Sequence, residues 1–320
     1  MTIQPTSHTR SAATPISVPT PMEVTILLPC RNEATTVAIC INLALTWISL
    51  RNLTGEVLVV DNASSDSSAA HALTAGARVI DEPRVGYGNA LRTGIQSAHG
   101  RIVIMADADN TYDLTNLDAF YDPIATAQTH DIVIGDRFVL PPSRAAMSRY
   151  NHAGNWLLST LTRAATGTPA RDIHCGLRSF IRATMTDLPT WSTGMEFATH
   201  MLTHAHHQHL RIAQTPITLQ PPAAGRRSNL HPLRDGLRHL AAITRESLCG
   251  RAPHQSTSTD LKHSEIRRMM LRIPPANRHK NKQVPFGINR FPALLSGQPK
   301  LELNEEPPML TERIPLRSGE

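Results

Sequence analysis

Asp107-Ala108-Asp109 follows directly on the run Arg101-Ile102-Val103-Ile104-Met105-Ala106. The apolar, β-branched run predicts a buried strand over 101–105. Two carboxylates one residue apart at the end of such a strand repel each other and demand solvent or a cation. At the carboxyl end of a strand in an open α/β sheet they face the crevice where ligands bind. A hard divalent cation bridging to a diphosphate suits them, because Mg²⁺ is usually held by one or two carboxylates together with substrate phosphates. A solvated turn explains the triplet equally well when it is taken alone.

The elements that must position these carboxylates are legible as alternating runs. Strands are expected over 24–29, 56–60, 78–80, 101–105 and 131–135. Helices are expected over 34–50, 67–75, 89–98, 145–166, 193–209 and 232–248, with a strand interrupted by Pro216 over 210–219. Strands alternating with helices imply an α/β fold with a doubly wound, mostly parallel sheet flanked by helices, a Rossmann-like arrangement. Three strand ends then carry polar clusters: Pro29-Cys30-Arg31-Asn32-Glu33, Asp61-Asn62, and Asp107-Ala108-Asp109. Each alone is ordinary turn chemistry. Together, on parallel strands, they point into one crevice.

Several function classes fall away. There is no GxGxxG after the first strand, which disfavours a dinucleotide-binding oxidoreductase, and no GxxxxGK[ST] loop for a nucleoside triphosphate. The net charge of +6 favours anionic ligands, but few aromatics and no nucleic-acid-binding motif set nucleic acid aside. Cys30, Cys40, Cys175 and Cys249 form no CxxC, so reduced thiols and a cytoplasmic location are expected. Residues 1–22, rich in Ser, Thr and Pro, read as a disordered leader, and 250–320 as a mostly disordered basic tail with a short helix near 264–271. The domain proper is expected over 23–249. No segment approaches the ~20 apolar residues of a membrane-spanning helix.

The run Val24-Thr25-Ile26-Leu27-Leu28-Pro29-Cys30-Arg31-Asn32-Glu33 resembles the opening strand and turn of family-2 glycosyltransferases with the GT-A fold. Val59 to Asp66, Gly86-Tyr87-Gly88-Asn89-Ala90-Leu91-Arg92-Thr93-Gly94, and the Asp107-Ala108-Asp109 triplet are similar to later signatures of that family. Ala106 to Asp113, Asp172-Ile173-His174-Cys175-Gly176-Leu177-Arg178, and Thr193 to Ala198 look like the polyprenyl- and dolichyl-phosphate sugar synthase-like branch. Arg226 to Leu230 and Arg234 to Leu240 extend the match, which covers about residues 23 to 242.

The resemblance implies a metal-dependent, inverting hexosyl- or N-acetylhexosaminyltransferase using a UDP- or GDP-linked sugar. Pro29, Arg31 and Glu33 would line the nucleoside pocket. Asp61 would bond the base or ribose, with Asn62 beside it. Asp107 and Asp109 would hold Mg²⁺ or Mn²⁺ against the donor diphosphate, and Arg137, Arg149, Arg178 and Arg227 would close on phosphate oxygens. The acceptor implied is a polyprenyl phosphate. Many enzymes of this branch follow the catalytic domain with membrane helices, and a polar tail stands here instead, so a soluble metabolite is kept beside it. The rival readings are a sugar-phosphate nucleotidyltransferase and a non-catalytic nucleotide-sugar-binding protein. The first usually carries a Gly-rich basic loop after its first strand, and the intact carboxylates argue against the second.

A hydroxyl acceptor needs a base, whereas a phosphate arrives ionised. Glu196, at a helix start after Thr193-Gly194, is the candidate, with Asp172 as runner-up. His200 and His204 have the spacing of metal ligands but no HExxH, so an exposed polar face is expected there. Cys175 reads as a buried structural thiol. The amphipathic helix over 232–248, with Arg234, Arg238 and Arg245, either packs on the catalytic domain or touches an anionic bilayer peripherally.

Overall fold

A computed structural model describes residues 21–140, 147–188, 190–221 and 232–249. Residues 1–20 of the expected leader, the tail with its short helix, and Arg227 lie outside the described residues.

The strands are β1 (Val24–Cys30), β2 (Gly55–Asp61), β3 (Arg78–Asp81), β4 (Ile102–Met105), β5 (Ile132–Asp136), β6 (Arg178–Ile181) and β7 (Ile212–Pro216). They form one sheet in the order β3-β2-β1-β4-β6-β5-β7. All pairings are parallel except those of β6, which runs antiparallel between β4 and β5. This is the mostly parallel sheet expected from the alternating runs, and the GT-A fold that the resemblance implies. β1 and β4 are apolar and almost wholly buried, as strands covered on both faces must be.

The helices are α1 (Val37–Leu50), α2 (Ser68–Thr74), α3 (Tyr87–Ser97), α4 (Asp118–Ala125), α5 (Arg149–Thr166), α6 (Phe197–His207) and α7 (Pro232–Cys249). α1 buries Val37, Ile41, Ala44 and Ile48, a repeat of three to four residues that lays one stripe on the sheet. α7 packs against α5 and α6.

Two elements escape a reading by pattern. α4 contains Pro123, which ordinarily argues against a helix interior. It is fixed from outside: Trp47 donates to Asp118 (2.9 Å), and Arg51 pairs with Asp118 (3.3 Å) and Asp122. β6 is four residues, Arg-Ser-Phe-Ile, with Arg178 and Ser179 fully buried. Its polar side chains survive burial because Ser179 donates to the Phe120 carbonyl (2.7 Å) and Arg178 to carbonyls described below.

Candidate active site

Because β1, β2 and β4 are parallel and in register, Cys30 lies beside Asp61 and Leu27 beside Met105. The turns that follow therefore leave the same edge of the sheet. Antiparallel β6 places its first residue there as well, since Arg178 pairs with both Met105 and Ile134. The segment 172–178 thus joins the edge that carries Asp107.

The turns after β1 and β2 interlock. Asn32 adopts a left-handed conformation (φ 57°), which Asn tolerates better than most residues. Its backbone N–H donates to Ser64 Oγ (3.0 Å), and its Oδ1 accepts from Ser65 N (2.8 Å). Glu33 N donates to Ser68 Oγ (2.8 Å) and Ala34 N to Asp66 (3.2 Å). Arg31 is exposed at this rim, Pro29 is half-buried, and Glu33 is buried, accepting from Thr36 Oγ1 (3.2 Å). Asp61 is buried and accepts a long bond from Ser64 N (3.4 Å) through Oδ2. Its Oδ1, though buried, meets no donor among the described residues. A buried carboxylate oxygen without a donor is costly, and a ligand N–H or hydroxyl would relieve it.

Asn62 does different work from that expected. Its amide donates to the carbonyls of Glu82 and Arg84 (2.9 Å each) and accepts from Gly86 N (2.7 Å). It shapes the loop into α3 rather than presenting itself to a ligand. That loop requires Gly86: φ is +149°, and a Cβ would lie 2.2 Å from the Thr193 carbonyl oxygen. Gly88 N then donates to the same carbonyl (3.0 Å). The start of α3 is therefore welded to the turn preceding Glu196.

Tyr87, between those glycines, donates to Asp107 Oδ1 (3.1 Å). Burial, and then the adjacent carboxylate, push the Tyr87 phenol well above its usual range, so it stays a donor. Gly176 covers the other side: a Cβ there would stand 2.5 Å from Asp107 Oδ2. Its N–H donates to Tyr112 Oη (2.9 Å). Asp109 is buried, its Oδ1 accepting from Thr111 N (3.0 Å) and Oγ1 (2.6 Å). The two carboxylates are hard oxygen donors on one turn, a donor set that fits Mg²⁺ or Mn²⁺. No three His, Cys, Asp or Glu side chains converge as a metal site among the described residues, so such a cation would draw its remaining ligands from substrate and water. Tyr87, Tyr112 and Gly176 were not singled out from sequence; the signal available was their place inside the quoted motifs.

The cationic candidates separate sharply. Arg137 follows β5 and grips Asp172 with both arms of its guanidinium (2.7 and 2.8 Å), while its backbone N–H adds a third bond (3.1 Å). Asp172 is fully buried. Burial alone would lower the Arg137 guanidinium, but the paired carboxylate outweighs it and holds it well above the usual value. Both oxygens of Asp172 are therefore committed to a structural ion pair, which leaves it poorly placed as a base. Arg178 is also fully buried, donating to the carbonyls of Cys175 (3.1 Å), Ile173 (3.2 Å) and Ala198 (3.2 Å). It ties 173–178 to α6 and does not face a ligand. Arg149 stands exposed at the first position of α5.

Glu196 precedes α6 and is 3 % exposed. Its Oε1 accepts from Gly194 N (2.9 Å) and Arg238 Nη2 (2.7 Å), and its Oε2 is buried with no donor among the described residues. Burial pushes this carboxyl up, but the bonds from Arg238 and from backbone N–H groups prevail and hold it below the usual carboxylate value. It is an ionised group with one oxygen anchored and one left over. Arg238 reaches it from α7, a contact that sequence separation hides.

The histidines correct one expectation. His200 is 1 % exposed rather than on an open face. It shares a hydrogen bond with Ser192 Oγ (2.7 Å) and lies against Trp191, ring centroids 4.4 Å apart. Burial, helped by neighbouring cationic side chains, drives its pKa down to about 3. Cys175 is fully buried, and burial pushes its thiol up to about 12, as befits a structural residue.

A mostly parallel sheet of this order, with acidic turns on one edge, is a glycosyltransferase sheet of the GT-A class. The chain belongs to glycosyl transferase family 2, whose family model matches residues 25–187. It is 34 % identical over 222 residues to glycosyltransferase AglJ of Haloferax volcanii, covering 68 % of this chain and 70 % of that protein. It is 30 % identical over 162 residues to the dolichyl-phosphate hexose transferase of the same organism, covering 51 % of this chain and 68 % of that one. The fold resembles Mycobacterium tuberculosis glucosyl-3-phosphoglycerate synthase in complex with Mn²⁺, uridine-diphosphate-glucose and phosphoglyceric acid (TM-score 0.55, 20 % identity, 71 % of this chain and 80 % of that one). Membership of a glycosyl transferase family leaves the nucleotidyltransferase alternative without support.

Proposed function

We propose that the protein transfers a hexosyl group from a nucleotide-diphosphate sugar to a polyprenyl phosphate, in one inverting displacement. The observation that carries the donor half is the meeting of Asp61, Asp107 and Asp109 on one edge of the sheet, with Asp61 Oδ1 awaiting a donor. Asp61 bonds the base or ribose, between Pro29 and the exposed Arg31. Asp107 and Asp109 would hold Mg²⁺ or Mn²⁺, which would supply charge neutralisation for the departing nucleoside diphosphate. Tyr87 and Gly176 keep Asp107 in place. Arg149 and Arg227 remain the candidates for phosphate oxygens, because Arg137 and Arg178 are committed inside the fold.

An acceptor phosphate oxygen attacks the anomeric carbon as the bond to the donor's β-phosphate oxygen breaks, and no proton need move. The likeness to a dolichyl-phosphate hexose transferase supports this acceptor. The protein would then work at the cytoplasmic surface of a membrane. No helix among the described residues is long and apolar enough to cross one.

One observation favours a second reading with a hydroxyl acceptor: Glu196 Oε2, ionised, buried and without a donor among the described residues, is equipped to take a proton. A panel of UDP- and GDP-sugars with Mg²⁺ or Mn²⁺, offered polyprenyl phosphate or soluble hydroxyl acceptors, separates the two. Turnover on polyprenyl phosphate with Glu196→Gln retaining most activity supports the first. Turnover only on a hydroxyl acceptor, lost in Glu196→Gln, supports the second. No metal-dependent nucleotide binding at all sinks both.

A further inference from the structure

Asp107 is walled in from two sides, and both walls lead back to one helix. On the first side Tyr87 donates to Asp107 Oδ1 (3.1 Å). Tyr87 opens α3, and the N–H groups that follow it, those of Gly88 and Asn89, both donate to the Thr193 carbonyl (3.0 and 3.3 Å). A Cβ at Gly88 would lie 2.3 Å from the Ser192 carbonyl oxygen, so helix and turn meet backbone to backbone. Behind that turn stands α7. Its Arg238 Nη2 donates to Thr193 Oγ1 (2.8 Å) and to Glu196 Oε1 (2.7 Å), fixing the turn and the carboxylate after it with one nitrogen.

On the second side Gly176 leaves no room for a Cβ beside Asp107 Oδ2. In the same loop His174 Nε2 shares a hydrogen bond with Thr199 Oγ1 of α6 (3.0 Å). That hydroxyl is also bonded to His239 Nδ1 of α7 (3.0 Å). A hydroxyl carries one proton, so it serves both rings only by donating to one and accepting from the other. The two rings also meet edge to face, with centroids 4.5 Å apart. Arg238 and His239, consecutive on α7, therefore end the two relays that flank Asp107.

Asp107 and Asp109 repel each other before a cation arrives, so the position of Asp107 depends on its walls. Groups behind a metal ligand orient it, and their loss is felt as lost metal affinity. We propose that Arg238 and His239 are positioning residues for Asp107: they hold the Thr193 turn and the His174 loop against α7, and so set the carboxylate for a divalent cation and the donor diphosphate. α7 lies beyond the residues that the family model matches, so the donor site would draw support from a segment outside that match. The inference deepens the proposed reading and rests on it for the cation; the acceptor does not enter.

The test is calorimetric titration of the full chain with UDP and with GDP, each in Mn²⁺ and in chelator. Thr199→Val removes the shared hydroxyl at nearly constant volume, and Arg238→Gln removes the cation. Each should weaken nucleotide binding in Mn²⁺ by about three- to thirtyfold and leave binding in chelator unchanged. Arg238→Lys, which keeps a cation with several donors, should bind closer to the parent protein than Arg238→Gln does. Thermal midpoints check folding; if Arg238→Gln unfolds, Glu196→Gln with Arg238→Gln removes both charges and takes its place. Variants that bind in Mn²⁺ as tightly as the parent overturn the proposal. So does equal weakening with and without Mn²⁺, which would make α7 a general support. A parent protein that binds neither nucleotide more tightly in Mn²⁺ overturns the donor reading itself, and the inference falls with it.

Discussion

At the β1, β2 and β4 end of the sheet, Asp61 keeps a buried oxygen without a donor among the described residues, and Asp107 is only half-buried. At the β5 and β6 end, Asp172 and Arg137 close on each other and Arg178 sinks into backbone carbonyls. Both regions place charged residues at strand termini, and the chain reads alike in both. The difference lies in the neighbour across the edge. Parallel strands send their turns outward side by side, so carboxylates there face the crevice. Antiparallel β6 returns the chain across the sheet, and its first residue and the loop before it supply partners to β5. Charge after a strand forms the proposed site in the first region and scaffold in the second.

The strongest way to break that contrast is Arg137→Met. It leaves Asp172 buried and unanswered, so unfolding in urea should show a loss of about 3–5 kcal/mol. A loss below about 1 kcal/mol would mean that the pair is not scaffold. Asp109→Ala should behave in the opposite sense: turnover falls by about 10²- to 10³-fold while the loss of stability stays at about 1 kcal/mol, the worth of the local bonds from Thr111, because charge stabilisation is the main thing removed. Equal loss of stability in both variants would erase the distinction.

Acid sharpens the contrast next. His200 has a folded pKa of about 3 against an ordinary 6.5, so the unfolded chain binds the extra proton between those values. Stability contributed by the neutral ring is complete above pH 6.5 and is lost as pH falls toward 3. Urea unfolding at pH 6.5 and pH 5 should differ by about 2 kcal/mol through this one group. His200→Asn should flatten that dependence; an unchanged slope would show that the ring is not buried neutral. The smallest effect is expected for Asp61→Asn, which should raise the donor KM by about tenfold with kcat little changed. A drop in kcat with KM unmoved would show that Asp61 does not hold the nucleoside.

Much of the donor half was legible. β1, β2 and β4 are apolar runs that end at polar clusters, so pattern located the strands and the acidic edge on which the proposed site stands. The roles of Asn62, Arg137 and Arg178 were not legible, because a polar side chain beside a strand looks the same whether it meets a ligand or a carbonyl. α4 was hidden by Pro123 and β6 by its buried Arg178 and Ser179, both held by contacts from distant segments. His200 was assigned to the wrong face, since spacing does not report that Ser192 and Trp191 cover it.

From sequence alone came the class of fold and the acidic edge, because period, strand length and the residues that end a strand are local properties; the family came from the resemblance of its motifs. Tertiary structure decided which charges are answered: Arg137 takes Asp172, and Arg238 reaches Glu196 from a helix 42 residues away. It also decided that α5 faces its leucines outward. Those are properties of what lies opposite each residue, and no window along the chain contains the opposite side.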